Sequence, residues 1–201
     1  VIDLSTYNNS DYDPGSFFRR AAWYVTSRLF FETRFPWPQV LKRSLLTLFG
    51  CRPGDGLVIK PAVKIKYPWF LTIGAHCWIG EGVWIDNLCG VTLGDQVVLS
   101  QGAYLLSGNH DYKKPSFDLI LNPIEIKSGV WIAAKSIVCP GVMAGECAVL
   151  TAGSVATKPL DAYSIYSGNP ATFKRKRELS KPQEEREELS TKGTKNHQGG
   201  K

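Results

Sequence analysis

The chain has 201 residues, is 43% hydrophobic and carries a formal net charge of +6. That length suits one domain with appendages and the apolar fraction is ample for a core, while no apolar run approaches the roughly 20 residues needed to cross a bilayer. The excess charge sits at the ends, with six Lys/Arg against four acids in residues 1–50, nine against nine in 51–173 and nine against five in 174–201. A neutral middle lacks the dense basic face with stacking aromatics of a nucleic-acid binder, so no nucleic acid is expected as a partner.

Cys51, Cys77, Cys89, Cys139 and Cys147 are odd in number and contain no C-x-x-C spacing. This disfavours both a disulfide framework and a zinc ribbon, and makes a reducing cytoplasm the expected compartment. No signal-peptide pattern opens the given sequence.

Residues 1–15 (YNNSDYDPG within them) read as an extended, turn-rich arm. From Ser16 to Phe49 the pattern is helical. Ser16 suits an N-cap, FPWP at 35–38 breaks the run, and a second helix over roughly Gln39–Phe49 stops at Gly50. Two helices packed on the first coil of the following repeat would cover its open edge. Alternatively they form a substrate lid or a membrane-surface face, since Arg19, Arg20, Arg28, Lys42 and Arg43 accompany the aromatics.

Then a six-residue pulse sets in. Apolar residues recur at Ile73, Ile79 and Ile85, slip by two to Leu93, Leu99 and Leu105, break over Ser107–Pro123, and return at Ile126, Ile132, Val138, Ala144, Leu150 and Ala156. A second, small residue follows four places later (Cys77, Val83, Cys89, Val97, Ala103), and the residue next to the apolar one is often Gly or small. A period of six does not match a helix. It fits short flat strands joined by tight corners, three to a triangular turn of about 18 residues, stacked so that each coil hydrogen-bonds the next. Trp78, Trp84, Tyr104 and Trp131 fall at outward positions and imply a covered surface.

Four segments follow from this: an N-terminal arm and helices over 1–56, the repeat over 57–158 with an inserted loop 107–123, a closing segment over 159–177, and a tail over 178–201. The tail is polar and low in aromatics, expected to be partly disordered after a short helix that starts near Lys174. The inserted loop, SGNHDYKKPSFDLILNP, is long for a loop without structure of its own, and such loops are usually functional or disordered. It contains His110, whose imidazole is suited to accept a proton near pH 7, although Asn109-His110-Asp111 would also make an ordinary polar turn.

The hexads of form [I/L/V]-[G/small]-x-x-[V/A/C/S]-x resemble those of the hexapeptide-repeat acyltransferases. VWIAAKSIVCPGVMAGECAVLTAGSVATK (130–158) with SGNPATFKRKR (167–177) resembles that family's C-terminal signature, and GNHDY (108–112) its catalytic loop. IKYPWFLTIGAHCWIGEGVWIDN and QGAYLLSGNHDY resemble more narrowly the acetyltransferases of colanic-acid-type extracellular polysaccharide biosynthesis. The resemblance, over roughly residues 1–177, implies a mainly β chain folded as a left-handed parallel β-helix. It implies acetyl-CoA as donor, a sugar or lipid-linked saccharide as acceptor, no metal, and a homotrimer with sites between subunits. A basic, aromatic 16–49 segment would then meet the inner membrane face peripherally.

Carried over residue by residue, the resemblance makes His110 the general base of a direct transfer, with backbone N–H groups holding the oxyanion. Asn87, at the two-residue slip, falls near the acceptor sugar, although an Asn chosen for a turn reads equally well; Asn109 accompanies it. Asp86 and Asp111 are candidates to orient His110. For the donor, Trp131 falls near the thiol end, Ala134 and Ala152 offer backbone contacts, and Thr157, Lys158 and Arg175 meet the nucleotide phosphates. IAAK at 132–135 departs from the common I-G-x but keeps small side chains. Cys89 beside the slip suggests an acyl-cysteine, but its register makes it an inward packing residue. Two other functions compete. A γ-type carbonic anhydrase on the same coil needs three histidines around zinc, and the coil offers only His76 and His110. A non-catalytic solenoid for binding or assembly would not need the GNHDY loop.

Overall fold

A computed structural model of the chain describes residues 1–180. Short strands stack in parallel into a β-solenoid of about six turns with two helices at its N-terminal end. The first face is built from Arg52–Pro53, Leu71–Ile73, Val91–Leu93, Ile124–Ile126 and Met143–Ala144. The second holds Val58–Ile59, Trp78–Ile79, Val98–Leu99, Trp131–Ile132, Val149–Leu150 and Ser164–Gly168. The third holds Lys64–Ile65, Trp84–Asp86, Tyr104–Leu106, Ile137–Val138 and Val155–Ala156.

The apolar pulse is the core. Every residue of the series from Ile73 to Ala156 is 1% exposed or less, so each large side chain contributes roughly 1.5–3 kcal/mol of burial. The small residue after the pulse has a steric cause. A Cβ on Gly74 would stand 2.6 Å from Asp95 N in the next coil, and one on Gly94 would stand 2.7 Å from Ser128 N.

The turn length differs from the expected one in the early coils. Glu125 pairs with Met143 eighteen residues on, as expected, but Thr72 pairs with Thr92 twenty residues on. The additional residues always fall at the corner between the third and first faces. Pro68–Phe70, the slip at 87–90 and the long insertion all lie at that corner, while the other two stay tight.

The slip itself corrects one register assignment. Asn87, not Cys89, takes the inward position: Asn87 is fully buried and Cys89 only half-buried. The Asn87 carboxamide accepts from Tyr67 N at 3.1 Å and donates to Tyr67 O at 2.6 Å. It bridges two coils where the backbone leaves the regular ladder, which a cysteine cannot do from both ends.

Helix α1 spans Phe17–Phe30, with the Ser16 hydroxyl accepting from Arg19 N, and α2 spans Gln39–Leu48 before Gly50 at φ +92°. Both serve the open edge of the first coil. The Trp23 indole donates to Ile65 O at 2.9 Å, and the Gln39 carboxamide accepts from Ile59 N at 2.8 Å. Lys42, fully buried, donates to Ile59 O at 3.0 Å and Lys60 O at 3.3 Å. Burial pulls its ammonium below the usual lysine range. Unpaired edge groups are costly when buried, and these side chains take the place of the missing coil.

Two further expectations change. The inserted loop has structure of its own: Gly108–His110 pairs antiparallel with Leu119–Leu121. The stretch from Lys174 continues a strand, Ala171–Lys176, paired antiparallel with Ser164–Gly168, and so closes the last coil instead of starting a helix. The tail from residue 181 onward lies outside the described residues.

The outward aromatics form two columns, not one. Trp78, Val98, Trp131 and Val149 stack on the second face. Trp84, Tyr104, Ile137 and Val155 stack on the third.

Candidate active site

His110 ends the first strand of the inserted ribbon, opposite Leu119. Its Nδ1 lies 2.8 Å from the Phe117 carbonyl. A carbonyl only accepts, so Nδ1 carries the proton and Nε2 keeps its lone pair. The same Phe117 lays its ring on the imidazole, with centroids 4.5 Å apart and planes at 9°. Phe117 achieves both contacts with φ at +54°, a conformation costly for a side chain with a Cβ and often found where function sets the backbone.

Within the chain neither aspartate bonds to the imidazole. The Asp111 carboxylate accepts from Lys113 N at 3.1 Å and serves the turn. Asp86 faces Tyr104, whose hydroxyl is 3.4 Å away, and Lys66 at 4.0 Å. Burial, with the Asp86 carboxylate beside it, pushes the Tyr104 phenol up to about 12. That phenol is therefore a donor at neutral pH. Asn109 turns its carboxamide back to accept from His110 N at 2.8 Å. Asn87, sealed by Tyr67, presents no polar atom to the loop.

The arm over residues 1–15 was not foreseen as part of this site. Asp3 N donates to Pro115 O, the Tyr7 ring lies 6.0 Å from the imidazole, and the Tyr12 hydroxyl donates to Leu88 O at 2.7 Å. Between arm and ribbon lies a cleft of about 390 Å³, lined by Asn8, Asn9, Asp11, Tyr12, Asp118 and Leu121 among others. The Asn, Asp and Tyr residues of YNNSDYDPG were the available signal, since they are groups that bind hydroxyls.

The donor-side residues lie elsewhere. Trp131, outward on the second face, donates its indole N–H to Ser100 Oγ at 2.9 Å. Ala134 and Ala152 stack at the corner between the second and third faces, where Gly153 N donates to Ala134 O. That corner is open, for nothing lies within 4 Å of where a Cβ on Gly153 (φ +68°) would stand. Thr157 and Lys158 are exposed just beyond the third-face strand of the last full coil, and Arg175 pairs with Ile165 in the closing hairpin. Within one chain the structure groups His110 with the arm, and Ala134 with Ala152, at different corners. Among the described residues no three His, Cys, Asp or Glu side chains gather as a metal-binding group.

A stacked hexad coil, a loop bearing a histidine of fixed tautomer, and an open small-residue corner make up the architecture of a hexapeptide-repeat acetyltransferase. The chain belongs to the hexapeptide-repeat acetyltransferase family. It is 42% identical over 149 residues to the "Putative colanic acid biosynthesis acetyltransferase WcaF" of Escherichia coli K12, covering 72% of this chain and 82% of that one. It is 28% identical over 132 residues to the galactoside O-acetyltransferase of the same organism, covering 64% and 65% of the two chains. Its fold is shared with a maltose O-acetyltransferase from Clostridium difficile 630, at a TM-score of 0.73 and 22% identity over 81% of this chain and 88% of that one. It is shared equally with the Vibrio cholerae acetyltransferase VCA0836, solved with acetyl coenzyme A, at 0.73 and 23% over 83% and 93%. No protein-family model matches the chain.

Proposed function

We propose that this chain transfers an acetyl group from acetyl-CoA to a sugar hydroxyl of a polysaccharide precursor, with His110 as general base. The observation that carries this reading is the imidazole whose Nδ1–H is held by Phe117, leaving Nε2 free, on a ribbon whose return strand, at Leu119 and Leu121, lines a polar cleft. The hydroxyl proton passes to Nε2 as the sugar oxygen attacks the thioester carbonyl. The C–S bond then breaks, and the imidazolium returns its proton to the departing sulfur. A sugar acceptor is supported by the names of the relatives, which include a galactoside and a colanic acid acetyltransferase. A thiol-release assay with acetyl-CoA and a panel of glycosyl acceptors tests the reading. Release stimulated by at least one sugar is expected, and none with any acceptor would overturn it.

The donor groove in this reading runs along the Ala134–Ala152 corner toward Thr157, Lys158 and Arg175, with Trp131 at its thiol end. Exposed cations at the end of a neutral coil suit a polyanionic nucleotide. Lys158→Ala is expected to raise the KM for acetyl-CoA about five- to tenfold with little change in kcat, the size of one charge-assisted contact. An unchanged KM removes Lys158 from the phosphate site. Because the base and the groove occupy different corners, a homotrimer would complete each site between two copies, and the two apolar columns offer surfaces to cover.

Membrane contact through residues 16–49 is the remaining part of the proposal. Phe17, Phe18, Val25, Leu29 and Leu48 are exposed among Arg19, Arg28 and Arg43, as in an interfacial amphipathic face. No helix among the described residues is long and apolar enough to cross a membrane. Flotation with vesicles containing anionic phospholipid is expected for the full chain and should be lost in F17S/F18S. Equal behaviour of the two would count against this contact.

A further inference from the structure

A second cavity, of about 410 Å³, lies between α1 and the third face of the first two coils. Its lining carries Arg20, Arg28, Lys64 and Lys66 against the single acid Glu32. Glu32 is already engaged, 3.1 Å from Arg28 and accepting from Ser27 Oγ at 3.1 Å. Lys66 leans toward Asp86 at 4.0 Å. Among the described residues no carboxylate pairs with Arg20 or Lys64. Arg20 Nε is buried without any hydrogen-bond partner. That N–H is closed to solvent and is not itself a ligand contact, but it marks a guanidinium set into the cavity wall with no carboxylate against it, a group whose charge an anionic oxygen suits.

The walls add a second feature. Tyr24, Tyr67 and Trp84 line the same cavity, with Lys64 Nζ 5.4 Å from the Trp84 ring centre. Trp84 in turn stacks on Tyr104 at 4.6 Å. Tyr104 begins the strand Tyr104–Leu106 that runs directly into the His110 insertion. Cations with aromatic walls, on the face that leads to the base, fit a charged group carried on a larger organic body.

We propose that this cavity binds the diphosphate of a glycosyl-diphosphate acceptor, holding it with Arg20 and Lys64 while the sugar reaches toward His110. The role as an acceptor anchor rests on the sugar-acetylation reading above; the binding of diphosphate does not. Diphosphates of this kind come attached to a nucleoside or to a polyprenyl chain, and both present the same charged group.

The test is calorimetric titration of the full chain with inorganic pyrophosphate, UDP and farnesyl diphosphate, each at saturating CoA so that the nucleotide groove is filled. Saturable binding of pyrophosphate and of at least one organic diphosphate is expected, weakening as salt rises. The organic ligand that binds more tightly identifies the source. R20Q/K64Q is expected to weaken this binding at least about tenfold, on the scale of lost charge-assisted contacts, while CoA affinity and melting temperature stay within error. R28Q, whose parent side chain is paired with Glu32, is expected to have the smaller effect. No saturable binding, or equal affinity in the wild type and R20Q/K64Q, overturns the proposal. Diphosphate binding that R20Q/K64Q abolishes, in a chain that acetylates no sugar, would keep the site and reject only the acceptor reading.

Discussion

His110→Ala is expected to lower acetyl transfer by at least about 10²-fold, the usual scale for loss of a general base, with CoA binding retained. The expectation rests on geometry as much as on residue type. Phe117 fixes the imidazole twice, through its carbonyl at 2.8 Å and its ring at 4.5 Å, so one tautomer is available and Nε2 is always the basic atom. His110→Gln is a stricter comparison, because its side chain preserves a hydrogen-bonding group but takes up no proton. It should be as inactive as the alanine variant. Single-turnover acetyl transfer to an acceptor found in the thiol-release screen measures both. Near-normal turnover in either would reject His110 as the base.

Asn87→Leu is expected to act on stability and not on chemistry. The substitution keeps the volume but leaves Tyr67 N without its partner at a buried corner, while Tyr67 O keeps only the bond from Phe70 N at 3.0 Å. One such group left unsatisfied gives a loss of about 1–3 kcal/mol. For a chain of this size that corresponds to a melting temperature lower by roughly 2–12 °C, at about 2–4 °C per kcal/mol. The folded fraction should retain its KM for the sugar. A large rise in that KM without a change in melting temperature would instead mark Asn87 as an acceptor contact.

These two residues mark how far the sequence could be read. The core column from Ile73 to Ala156 was legible because the hexad fixes which side chain points inward, and burial enforces it on every turn. At the slip the hexad count fails. NLCG contains two residues too many, and nothing in their order says which of them bulges outward. Counting on by fours put Cys89 inside, but the Tyr67 N–H, otherwise unpaired, and the carbonyl beside it select the residue that can both accept and donate, which is Asn87. His110 was legible through its loop motif. Phe117 was not, because its role depends on the ribbon folding back to place its carbonyl on a histidine seven positions earlier. The arm was read as turn-rich and extended, which gave no indication that it lies along the ribbon. Helix caps and stops were visible in Ser16 and Gly50, yet the role of Lys42 was not, since an amphipathic helix ordinarily turns its lysines to water.

The way α2 closes the first coil bears on how this protein avoids assembling with itself. A solenoid end is a template: a bare row of strand groups on which the end of another molecule could grow, coil upon coil, into a fibre. Here the cap is partly electrostatic. Lys42 donates directly to the Ile59 and Lys60 carbonyls, so an incoming strand would meet a positive charge where it needs neutral N–H donors. The helices therefore act as gatekeepers as well as a cover for the first coil's edge. Their damage is expected to be felt first as polymerisation, before any loss of acetyl transfer.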